Sequence, residues 1–278
     1  MSAMKVRSPF LTLLYNHNPF YAISTLLMLF AVRNAYGELN IGTINCWIMM
    51  GVLAVYTALL AVIGVLIVRL GKVWEDARSI ALLLLMLFLA VSISADDLFA
   101  SMESTAGGGL LLLCGYIFSA VVLETFLFAA RIRLGSLYRI PLHLLLALFY
   151  VAPWWCSPEL HPRSETALEW TIFLFPVVAA VLILAFIPAV RRGPEYVANN
   201  GTPWRWPLFP WTAVGVVVVA VAMRTFVLCM TFGPSGPIWI PLPSGGQAIS
   251  FDTMWGPYFL IPPAFAVLVL VMEAGLVT

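Results

Sequence analysis

Ionisable side chains sit inside long apolar runs at three places in this chain. Glu124 falls within the run 107–131, His143 within 139–156 and Arg224 within 208–232, while Asp96 and Asp97 close the run 78–97. Such groups are costly inside a bilayer and persist where they have a partner or a task. A carboxyl and an imidazole at one depth can form a proton site, because burial raises a carboxyl pKa and neighbours tune histidine. The same two groups can equally make one structural hydrogen bond, with the acid neutral. Arg224 keeps its charge, so it calls for a carboxylate, Asp96 or Asp97, or must snorkel to the headgroups. Asp96, Asp97 and Glu103 allow a third chemistry, in which carboxylates hold a divalent cation and, through it, a lipid phosphate. That cluster stands alone on its face, and a solvated loop start accounts for it as well.

These groups need helices to position them. The chain is 62% apolar and 10% charged, with mean hydropathy +1.00, against about 25% charged in a soluble domain. Net charge of +1 argues against nucleic acid as a partner. With roughly 20 apolar residues needed per crossing, about eight spans are expected: 19–37, 43–68, 78–97, 107–131, 139–156, 170–190, 208–232 and 255–273. The expected architecture is therefore an all-α polytopic bundle, a single transmembrane domain over 1–278. Its connections are too short for a soluble domain, so the lipid bilayer is its first partner.

Three copies of Arg-x-Gly-x-x-aromatic orient the spans. They are Arg69–Trp74, Arg133–Tyr138 and Arg191–Tyr196, spaced by about 60 residues, the length of a hairpin that crosses twice. Each fits a helix end, with Gly in the left-handed position, Arg complementing the dipole and the aromatic at headgroup depth. An internal hairpin repeat is the rival explanation, but little outside these caps aligns. Lys5, Arg7, Lys72, Arg78, Arg131, Arg139, Arg192 and Arg205 fall on the same side. The positive-inside rule makes that side cytoplasmic, with both termini there. A cleaved signal peptide is disfavoured by Arg33 and by Asn18-Pro19, which reads as a helix start. Residues 8–17 are apolar but too short to cross, and suit the inner surface.

From these ends, depths follow at 1.5 Å per residue. Glu124 lies roughly 10 Å deep and His143 roughly 6–8 Å, so the two should meet; Arg224 lies at roughly 24 Å, near Asp96 and Asp97 at roughly 27–29 Å. Arg33 could join that outer group. Pro262-Pro263 should kink the last span, and the Pro- and Gly-rich loop 233–254 should fold onto the outer helix ends. Cys156 and Cys229 share a depth and could pair if that face is oxidising, though burial as thiols is the simpler state. His17, His143 and His161 fall at different levels, so no haem, zinc or other metal site is expected, and no cofactor. No phosphate loop, Gly-x-Ser-x-Gly or His-Glu-x-x-His is present.

Asn18-Pro19-Phe20-Tyr21, and Glu75-Asp76-Ala77-Arg78 leading into a Leu-rich span, resemble a group of bacterial multi-span proteins of uncharacterised activity. The resemblance covers the first third of the chain. It implies the bacterial inner membrane and no particular activity. For function, the scarcity of intramembrane polar residues favours a non-catalytic membrane subunit or scaffold that binds other membrane subunits. A carrier of a small or apolar solute, proton-coupled through Glu124 and His143, is the alternative. An enzyme on lipid phosphates at Asp96, Asp97 and Glu103 comes third.

Overall fold

The structure, a computed structural model, describes residues 19–36, 43–100, 105–157, 165–232, 238–241, 247–250 and 255–277. The helices are α1 (Pro19–Tyr36), α2 (Thr43–Leu66), α3 (Trp74–Ile93), α4 (Asp96–Ala100), α5 (Thr105–Ala129), α6 (Ser136–Trp155), α7 (Glu165–Leu184), α8 (Ile187–Arg191), α9 (Gly193–Tyr196), α10 (Leu208–Phe232) and α11 (Ile261–Val277). A π-turn, Ile67–Gly71, continues α2, and a 3-10 turn, Pro257–Leu260, leads into α11. The architecture is an all-α polytopic bundle. Among the described residues, seven helices are long and apolar enough to cross a bilayer. The expected eighth coincides with α1, of which the structure describes the side chains of 23–31 alone.

The bundle is built around α3, which touches α1, α2, α5, α6 and α10. Over the most apolar stretch of Trp74–Ala100, 56% of residues are buried, against 17% for Pro257–Val277. The Leu-rich sequence of α3 therefore serves as core, with Leu84, Leu87 and Phe88 fully covered. At the edge, α11 lies against α7, and α7 joins the centre through α6 and α10. Helices hydrophobic all round are expected where one side meets lipid and the other protein. Exposed Ile261, Phe265, Leu268 and Leu276 on α11 form its lipid side.

Several expected details are corrected. The span 170–190 is present as Ala167–Arg191 but carries a turn: α7 ends at Leu184, and α8 restarts with Pro188 in its first turn. Pro262 and Pro263 do not kink a span. They occupy the first turn of α11, where a backbone donor has no helical acceptor to lose. Within 233–254 the described parts pair as an antiparallel hairpin, β1 (Ile238–Pro241) with β2 (Gln247–Ser250), in the register Ile238 to Ser250. Residues 8–17, the Asn18 cap, His17 and His161 lie outside the described residues.

The three Arg-x-Gly-x-x-aromatic copies all lie at one end of the bundle, called here the basic end, but they are not three equal caps. Only Gly193 takes the left-handed conformation, at φ 64°. In the first copy Lys72 takes it, at φ 54°. Ahead of the second copy Arg131 does so, at φ 60°, while Gly135 is extended (φ −61°, ψ 150°) and precedes α6. Gly135 is needed for a different reason: a Cβ there would lie 2.6 Å from the Tyr196 ring. Tyr196, the aromatic of the third copy, docks on the glycine of the second, and its hydroxyl accepts the Leu137 N–H at 3.1 Å. The copies interlock, which a simple tandem repeat would not require.

Candidate functional site

Two polar sites stand out, one near each end of the bundle. The first joins α5 to α6. Arg139 and His143 are four residues apart on α6 and so share a face. Both reach Glu124 on α5. The Arg139 Nε donates to Glu124 Oε1 at 2.6 Å, its Nη2 donates to Oε2, and His143 Nε2 lies 2.6 Å from Oε1. The expected Glu124–His143 contact is present, and Arg139 completes it as a bidentate ion pair. The sequence held the signal for Arg139 in its spacing from His143, although its charge alone marks only topology. The site is not interior. Glu124 keeps 31% of its side chain exposed and Arg139 50%, between exposed Val121, Phe128 and Ile140. The triad therefore looks sideways, out of the bundle.

A small void lies behind it, between α3, α5, α6 and α10. That void holds ≈ 10 Å³ between Leu85 of α3, Leu123 of α5, Leu145 and Phe149 of α6, and Val217 and Ala220 of α10. The space is barely that of one water, and its walls offer none of the two to four polar partners a water needs.

The second site closes the opposite half. Arg224 on α10 is fully buried, and so is Asp96 at the start of α4. The Arg224 Nη2 donates to Asp96 Oδ1 at 2.8 Å and Nη1 to Oδ2. Nη2 also reaches the Phe149 carbonyl at 3.3 Å. Snorkelling is thus overturned for Arg224, because its side chain is fully buried and grips Asp96. Nε of Arg224 has no hydrogen-bond partner among the described residues. Nearby, the Tyr150 hydroxyl donates to the Phe88 carbonyl at 3.2 Å and lies 2.6 Å from Ser119 Oγ. This tie between α3, α5 and α6 was not expected from sequence. The side chains of Asp97, Arg33, Glu103 and Asp252 lie outside what the structure describes.

The arrangement corrects the cation-site idea at Asp96. Both of its oxygens face Arg224 in a dry pocket, so it is not available to hold a divalent ion. Among the described residues, no three of His, Cys, Asp and Glu converge as metal ligands. Cys46, Cys114, Cys156 and Cys229 are not joined in disulfides.

Other pairs escaped the sequence. Arg191 of α8 forks onto Glu273 of α11 at 2.8 and 2.7 Å, tying the edge helix to the basic end. At the other end, Tyr258 donates to Glu169, and midway along α2 Tyr56 meets Ser24 Oγ and Thr25 Oγ1 of α1 at 2.9 and 3.2 Å. At the basic end, burial raises the Tyr196 phenol, but the Leu137 N–H, the Ser136 hydroxyl and the Arg192 guanidinium outweigh it. Its pKa is lowered on balance. The Arg192 guanidinium lies 5.2 Å from the centre of that ring.

No family model matches the chain, and neither a curated protein nor a solved structure matches it.

Proposed function

We propose that this integral membrane protein is a non-catalytic subunit of a membrane assembly. It docks a partner's transmembrane helix against the lateral face of α5 and α6. The observation that carries this reading is Glu124, held by Arg139 and His143 on the outside of the bundle. A carboxylate facing hydrocarbon is unfavourable unless covered. A partner helix with a hydrogen-bonding group would cover it, and such interhelical contacts are the usual polar glue between spans. The resemblance at 18–21 and 75–78 and the basic-end bias support a bacterial inner membrane, with both termini cytoplasmic. The carrier alternative draws less support, because the void behind the triad is apolar and water-sized.

Photo-crosslinking tests this. A photoreactive residue at Val121 should give one discrete protein adduct in native membranes, absent in the Glu124→Leu variant and absent from Phe265 on α11. Adducts to lipid alone would sink the proposal. Proton flux in vesicles that is lost on Glu124→Gln would put the carrier in its place.

A further inference from the structure

Beside the triad, at the seam of α2 and α5, the adjoining helix ends carry three cations. Arg69 lies in the π-turn that continues α2, Lys72 follows it in the left-handed conformation, and Arg131 follows α5 in another left-handed turn. All three are exposed. The Arg69 Nε donates to the Ala129 carbonyl at 2.6 Å, which seats its guanidinium over the last turn of α5, two residues from Arg131. Its terminal nitrogens, the Lys72 ammonium and the Arg131 guanidinium have no hydrogen-bond or ion-pair partner among the described residues. The acids close by are engaged or set back: Glu124 by Arg139, Glu75 by Arg78 at 2.8 Å, and Asp76 half-buried in the first turn of α3. Around the cations, the side chains are apolar and turned outward, with Phe128 at 85% exposure and Leu70 at 80%.

The backbone holds this group rigidly. The Arg131 N–H bonds to the Phe128 carbonyl at 3.1 Å, and the Arg133 N–H bonds to the Asn200 carbonyl at 2.7 Å. Gly201 packs so closely on the Arg131 carbonyl that a Cβ would lie 2.0 Å from it. The loop after α9 thus fixes the turn that presents Arg131.

We infer that this seam binds an anionic phospholipid of the leaflet at the basic end. The headgroup phosphate would lie among Arg69, Lys72 and Arg131, with an acyl chain running down beside Phe128. The charge matches, since each basic group near the surface adds to the attraction for an anionic lipid. The apolar flank continues from the cations into the hydrocarbon, as a lipid does and a soluble anion does not. The site adjoins the α5–α6 face but does not depend on a partner helix there.

Native mass spectrometry of the full chain provides the test, after detergent exchange in an equimolar mixture of phosphatidylcholine and phosphatidylglycerol. The protein should retain phosphatidylglycerol in preference, and that preference should fall with added salt. Arg69→Gln with Arg131→Gln should lower retention by about thirtyfold. The lysine pair at the same positions should restore most of it. Arg192→Gln with Arg205→Gln removes the same charge from the same end and should leave retention unchanged. Equal retention of the two lipids by the natural chain would overturn the inference, whatever the variants do. So would an equal loss in the Arg192 and Arg205 control, which would indicate a diffuse field rather than a site. Neither result bears on crosslinking at Val121, so the two proposals fail separately.

Discussion

In one half of the bundle, Arg224 and Asp96 have lost nearly all exposure, at 0% and 2% of their side chains; in the other, Glu124 keeps 31% and Arg139 50%. Both pairs are bidentate, but Arg224 and Asp96 lie 128 residues apart, whereas Glu124 and Arg139 lie 15 apart on consecutive helices. Their surroundings differ. Arg224 is fully buried, and its Nη2 also donates to the Phe149 carbonyl of α6. Arg139 sits one turn from the start of α6, where a long side chain can reach headgroup depth while gripping Glu124. A buried pair cannot exchange partners without opening the core. A lateral pair can be approached from the bilayer without moving a helix. The first arrangement suits holding the fold together, and the second suits recognition.

The largest expected effect would break the buried half. Arg224→Met leaves the Asp96 carboxylate without its cation in a dry pocket, at a cost of about 3–5 kcal/mol. Resistance to unfolding in a mixed-detergent titration should fall accordingly. Adding Asp96→Leu should recover most of the loss, because an apolar pair of similar volume is often neutral. If Arg224→Met alone were silent, the pair would not be structural, and the contrast with the triad would collapse.

The basic end gives the next effect. Gly135→Val forces a side chain into the Tyr196 ring and should cost about 1–3 kcal/mol by overpacking. Tyr196→Ala in the same chain should return part of it. The triad should then be affected indirectly, because Gly135 precedes the helix that carries Arg139 and His143. Reduced crosslinking at Val121 with Arg224 and Asp96 unaffected would sharpen the separation of the two halves.

How much of this was legible in the sequence follows from what depth arithmetic can and cannot give. Counting residues from helix ends located the Glu124–His143 contact and brought Arg224 to the Asp96 level, because the rise per residue is fixed. It could not say which way Glu124 faced. α5 is apolar on every side, so its sequence does not distinguish a lipid face from a protein face. The same uniformity hid the central place of α3. Arg139 was present as a charge but not as a ligand, and Glu273 lay at a helix end where an acid draws little notice. The glycines of the three motif copies looked equivalent because sequence shows that a Cβ is missing, not what fills its place. At Gly193 the reason is conformation, and at Gly135 it is the ring of Tyr196.

Glu124→Gln probes the lateral half directly. The ion pair is partly exposed, so the stability change should be about 1 kcal/mol or less, several-fold below that of Arg224→Met. Loss of the protein adduct at Val121 with stability nearly intact is the outcome that separates recognition from architecture. A stability loss as large as that of Arg224→Met would merge the two sites into one structural role.

The smallest effect lies in the phenol of Tyr196, which caps the helix bearing Arg139. Its folded pKa is lowered, while in the unfolded chain it takes the ordinary tyrosine value of about 10. A group depressed in the folded state contributes stability that is complete above the unfolded pKa and lost as pH falls through the folded one. Stability should therefore rise slightly with pH just below 10, and Tyr196→Phe should abolish that rise. Ultraviolet titration should find one tyrosine ionising ahead of the ordinary range, absent in the variant. The Leu137 N–H would then lack its acceptor, and any change in crosslinking at Val121 would trace the line from α9 through the start of α6 to Arg139. Arg224 and Asp96, in the other half of the bundle, should not respond. If they did, the two halves would be coupled through the core, and the lateral site could no longer be treated as independent of the buried pair.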